Sequence, residues 1–116
     1  MRTIQIDNYI ISTPIKEIIE TVKSQLHNGK LKDIRVKGDN ILVTCPFHSD
    51  GLESKPACNI YIGEDQSIEY GYFRCFVCNE QGPLAKFVGH CFDRDENFGK
   101  AWLISNYGQK IDTEYF

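Results

Sequence analysis

No apolar run in this chain approaches the ~20 residues that cross a bilayer, so no membrane-spanning helix is expected. The N-terminus lacks a charged-then-apolar leader, which argues against secretion. Strong charge of either sign is missing too. The net charge is −3 over 116 residues, which argues against a strong non-specific nucleic-acid binder. There are no repeats and no low-complexity segment. The five cysteines cannot all pair, and with no leader a disulfide framework is disfavoured. These absences point to a reducing, intracellular setting. They also point to one domain over 1–116, with a core that buries roughly two-thirds of the unfolded surface.

What is present is organised around Cys45 to Gly82. Cys45-Pro46-Phe47-His48 opens this stretch and Cys75-Phe76-Val77-Cys78 closes it. A C-x2-H or C-x2-C pair suits a tight knuckle, in which the backbone turns so that both side chains meet one ion. Two knuckles supply three thiolates and one imidazole, a donor set for one tetrahedral Zn²⁺. Cys45, His48, Cys75 and Cys78 would fill the sphere and leave no place for water, so the ion is expected to be structural. Such an ion contributes on the order of 10 kcal/mol to folding in small zinc modules. A redox-active Cys75/Cys78 pair and unrelated buried cysteines are the competing readings.

Around this centre the pattern predicts an α+β fold. A zinc ribbon, a small antiparallel sheet with the metal between hairpin ends, spans 32–82. It is flanked by an N-terminal helix over about 14–28 and by helices over about 83–92 and 95–107. Residues 2–11 alternate weakly, as a short strand or ordered arm would. Thr13-Pro14 starts the first helix, with Thr13 able to cap it and Pro14 suited to its first position, and Ile15, Ile18, Ile19, Val22 and Leu26 make its apolar stripe. Strands over 32–37 and 40–45 turn at Gly38-Asp39-Asn40, with Ile34, Val36, Ile41 and Val43 as core candidates. Strands over 57–62 and 68–75 follow. Leu84, Phe87, Val88 and Cys91 form the stripe of the next helix; Asp93 or Asp95 caps the last, where Phe98, Ala101, Trp102 and Leu103 or Ile104 pack. Residues 109–116 read as a frayed tail or the start of a linker. Cys58 and Cys91 read as packing thiols.

Charge is uneven along the chain. Residues 1–38 carry seven Lys/Arg against four Asp/Glu, and residues 39–116 carry six against twelve. Lys30, Lys32, Arg35 and Lys37 form either a solvated strand edge or a local basic patch. In the returning strand, alternation places Tyr70, Tyr72 and Arg74 on one side. Such a row can stack bases and hold phosphate, or its aromatics can cover a small core. Phe76, between two ligands, is either a knuckle plug or a stacking platform.

Cys45-Pro46-Phe47-His48, the Lys55-Pro56 step into a strand, Tyr72-Phe73-Arg74-Cys75-Phe76-Val77-Cys78, Gly82 and the helix with Lys86-Phe87-Val88 together resemble one family. It is the CHC-type zinc-binding domain of bacterial and phage DNA primases, and the likeness covers roughly 12–108. The segment from His48 to Cys75 is longer than in typical bacterial members, Cys58 stands where they carry an aromatic, and Pro83 where they often carry Asp or Asn. These departures point to a phage or mobile-element relative. The resemblance implies a non-catalytic module that contacts the single-stranded template during primer synthesis, with polymerisation housed in a separate domain. It implies DNA contacts by Lys55, Tyr70, Tyr72, Arg74, Phe76 and Lys86, and as partners single-stranded DNA, a primase catalytic domain and a replicative helicase. Two other classes compete with template reading. One is a zinc ribbon that docks on a protein such as the helicase, favoured by the acidic second half. The other is a thiol sensor built on Cys75 and Cys78.

Overall fold

The computed structural model describes residues 2–47 and 56–111. It is α+β, with three helices and two antiparallel sheets. Strands β1 (Ile4–Ile6) and β2 (Tyr9–Ile11) form a hairpin in which Ile4 pairs with Ile11 and Ile6 with Tyr9. The turn between them sets Asp7 at φ 52°, a left-handed position that Asp tolerates better than most residues.

Helix α1 (Ile15–Gln25) follows, burying Ile15, Ile18, Ile19 and Val22. These positions recur at the helical period, so one face enters the core. Pro14 occupies the N-cap position and no side chain caps the helix, so Thr13 does not take the role expected of it. The Tyr70 hydroxyl faces the Ile15 N–H instead.

Strands β3 (Ile34–Lys37) and β4 (Asn40–Val43) make a tight hairpin, with Gly38 at φ 59° in its turn. That left-handed angle suits glycine. β4 pairs with β5 (Cys58–Tyr61), β5 with β6 (Phe73–Cys75) and β6 with β7 (Gln81–Gly82), giving the order β3-β4-β5-β6-β7. Ile41 and Val43 are fully buried, but Val36 is 51% exposed. Val36 faces Ile41 across the hairpin, yet β3 is the sheet edge and carries it past the core.

The returning strand is shorter than alternation suggested. Gly71 at φ 88° donates to the Tyr61 carbonyl while the Tyr61 N–H donates to the Tyr72 carbonyl, and this turn breaks the ladder before Phe73. A side chain at Gly71 would press on Ile4, Ile15 and Leu84, which meet there.

Helices α2 (Leu84–Cys91) and α3 (Glu96–Tyr107) complete the body. Leu84, Phe87, Val88 and Cys91 are buried on α2. The Asp95 carboxylate caps α3 by accepting from the Phe98 N–H at 2.9 Å. Leu103 is buried while Ala101 is exposed, because α3 approaches α2 through glycines. A Cβ on Gly99 would collide with the Ala85 carbonyl oxygen, and one on Gly89 with that of Asp95. The chain beyond α3 is not frayed at once: β8 (Gln109–Lys110) pairs with β2, and the Ile111 N–H donates to the Asn8 carbonyl at 2.7 Å. Residues 112–116 of the expected tail lie outside the described residues. Among the described residues no helix is long and apolar enough to cross a membrane. One core joins both ends, from Ile11 and Ile18 through Ile60 and Phe73 to Phe87 and Leu103.

Candidate metal centre

Cys45 lies two residues past β4, Cys75 ends β6, and Cys78 sits in the turn that follows. The sheet brings these three together: their Sγ atoms all lie within 4.8 Å of one another, close enough to hold a metal ion. Cys45 Sγ and Cys78 Sγ are 3.8 Å apart. Both knuckle turns are built alike. The Phe47 N–H donates to Cys45 Sγ and the Val77 N–H to Cys75 Sγ, each at 3.4 Å and each from two residues downstream. Asn79 closes the second turn at φ 62°, donating to the Cys75 carbonyl at 3.1 Å. His48 and Lys55 lie outside the described residues.

Cys45 and Cys75 are fully buried, and Cys78 is partly open to solvent. Burial pushes the Cys75 thiol up to about 12. Cys45 is held well below the usual thiol range, above all by a hydrogen bond from the Cys58 side chain. Cys58 itself is raised by that bond and by burial, so it stays protonated. Burial likewise raises Cys91. A divalent cation among the three thiols would reverse this trend for its ligands, because it favours thiolate.

The centre rests on an aromatic wall. Phe47 stacks on Phe73 at 5.1 Å and meets His90 at 4.2 Å. Lys86 lies 5.9 Å above the Phe47 ring, with its ammonium 3.1 Å from Glu80 and donating to the Gln81 carbonyl. Tyr72, Arg74 and Phe76 follow one another at alternate positions beside the second knuckle, half-buried, exposed and exposed. The Arg74 guanidinium sits 5.6 Å over the Phe76 ring. Phe76 and Val77 are each 65% exposed, so Phe76 does not plug the knuckle. Tyr70 is separated from this row by the Gly71 turn. It packs under Arg2, 5.5 Å away, and lines a cavity of about 380 Å³ with Ile4, Pro83 and Lys100.

The basic run is not a uniform patch. Lys30 turns inward with its side chain 8% exposed, donating to the carbonyls of Pro46 and His90 and pairing with Asp93 at 2.6 Å. Arg35 is paired with Asp33 at 2.7 Å. Two features escaped the sequence reading, the Lys30 strap and the contact of Cys58 with the ligands. Cys58 has no knuckle spacing to any cysteine; only strand register reveals it, by placing it opposite Cys75.

Over 98 residues, 84% of its length, the chain is 29% identical to a DNA primase of Aquifex aeolicus (strain VF5). It spans 17% of that protein. No family model matches the chain, and no solved structure matches it.

Proposed function

We propose that this chain is the zinc-binding, template-recognition module of a DNA primase, contacting single-stranded DNA and carrying no polymerising site of its own. The observation that carries the reading is the meeting of Cys45, Cys75 and Cys78 in a chain similar to a primase. Zinc fits the donors. Tetrahedral bonds of ~2.3 Å to sulfur place two sulfurs about 3.8 Å apart, the spacing of Cys45 and Cys78. His48, three residues after Cys45, would supply the fourth bond. A closed sphere of this kind locks the two knuckles together and supplies no chemistry to a substrate.

Locking the knuckles fixes Tyr72, Arg74 and Phe76, which alternate with the buried Phe73 and Cys75. Arg74 offers a cation to phosphate, and the Phe76 ring offers an open face on which a base can stack. Lys86 contributes less as a free cation, since Glu80 already pairs with it. Tyr70, across the Gly71 turn, is the weakest of the expected contacts.

The test is fluorescence anisotropy of a labelled random-sequence single strand titrated with zinc-loaded protein at low and physiological salt. Arg74→Ala is expected to weaken binding and to lower the salt slope by ~0.7, one phosphate contact on a single strand. Phe76→Ala should weaken binding with little change in slope. If the protein does not bind the strand at low salt, template reading by this chain is wrong. The exposed Phe76-Val77 tip then favours docking on a protein such as the helicase.

A further inference from the structure

We infer that Cys58 is a positioning residue of the metal centre: its thiol donates a hydrogen bond to the Cys45 ligand from outside the coordination sphere. The inference rests on the zinc reading above and goes beyond its four ligands.

Geometry carries it. The Phe76 N–H donates to the Ala57 carbonyl at 3.1 Å and the Tyr61 N–H to the Tyr72 carbonyl at 2.9 Å. These rungs leave Cys58 and Cys75, partners in the β5–β6 register, as a non-hydrogen-bonded pair. At such a pair the backbones approach most closely and both side chains share one face. On its other side Cys58 is opposite Val43, two residues before Cys45. The thiol is therefore fully buried, opposite one ligand and beside the strand that carries another. It is not a fourth ligand in this arrangement, because it lies outside the set of thiols mutually within 4.8 Å.

The charge of the centre explains the need. Three thiolates, a neutral imidazole and Zn²⁺ leave one net negative charge. Cys78 reaches solvent and can share its part with water. Cys45 is fully buried and cannot. The Phe47 N–H is one of its donors, and the Cys58 thiol supplies another from across the sheet. Partners of this kind orient a ligand and hold its charge, and their loss commonly lowers metal affinity 10–100-fold.

The full chain is loaded with cobalt(II), whose sulfur-to-metal charge-transfer band reports thiolate number by intensity and thiolate energy by position. Zinc affinity is measured in parallel by chelator competition. Cys58→Val keeps an apolar, branched filler and removes the donor; Cys58→Ser keeps a donor. Cys58→Val is expected to bind zinc at least ~10-fold more weakly and to shift the band to lower energy at full intensity, with Cys58→Ser closer to wild type in both. Equal affinity and band position in Val, Ser and wild type would overturn the inference and leave Cys58 as packing. A loss of intensity in Val matching one thiolate would overturn it in the other direction and make Cys58 a ligand. Wild-type protein without a tetrahedral cobalt spectrum would remove the zinc reading itself, and this inference with it.

Discussion

The two ends of the molecule are held by different physics. At the metal end, β4, β5 and β6 are three or four residues long and stop at knuckles whose outer residues, Phe76 and Val77, face solvent. Sheets this short are marginal on their own, and an ion tied to three thiols from two segments can supply what burial does not. At the helical end, α1 and α2 bury continuous apolar stripes, α3 buries Leu103, and two glycines let α2 and α3 approach closely. Phe73 and Phe87, 5.6 Å apart, join the two ends in one core. The contrast teaches that few residues at fixed spacing can specify as much as many residues at a fixed period, provided an ion links them.

Breaking the metal end should have the largest effect. Cys78→Ala, or chelation of the wild type, is expected to remove a contribution on the order of 10 kcal/mol, comparable with the whole stability of a small domain. Because the core is shared, helical circular dichroism should fall together with metal content. Retention of the full helical signal in metal-free protein would show instead that the helical end stands alone.

A smaller loss is expected from Gly99→Ala, where the new methyl meets the Ala85 carbonyl oxygen. Overpacking against backbone should cost about 3 kcal/mol, read as a lowered thermal midpoint, with metal stoichiometry unchanged. An unchanged midpoint would mean that the helices slide apart freely.

The smallest effect belongs to the strap between the ends, where Lys30 bonds Pro46 in the first knuckle, His90 in the last turn of α2 and Asp93 just beyond it. Asp93 is held below the usual carboxylate range, first by its bond from Lys30 and then by that from Asn28. A depressed carboxylate stabilises fully above its unfolded value near ~4, and that gain is lost as pH falls through the lower folded value. Asp93 is exposed, so the pair contributes within about 1 kcal/mol. Asp93→Asn should therefore be less stable than wild type between pH 5 and 8, and the gap should close in acid. Denaturant midpoints followed from pH 8 down to about pH 2 check it; a gap that stays constant into acid would place the stabilisation elsewhere.

Much of the fold was legible because the signals were local. The stripes on α1 and α2 and the Gly38-Asp39 turn could be read from neighbours alone. So could the Cys75-x2-Cys78 knuckle, which folds within four residues. Val36 and Ala101 misled because their local pattern says nothing of an edge strand or a helix that packs through glycine. Tyr70 misled because one left-handed glycine shifts the alternation after it.

The sequence by itself determined which segments are helical and which three cysteines and histidine have ligand spacing, since both depend on contacts only a few residues apart. Tertiary structure alone decided that Cys45 meets Cys75 and Cys78, and that Cys58 lies against them. It also decided that Lys30 turns inward and that β8 closes on β2. Each of these joins residues 30 or more positions apart or depends on strand register, and register is set by the whole buried face.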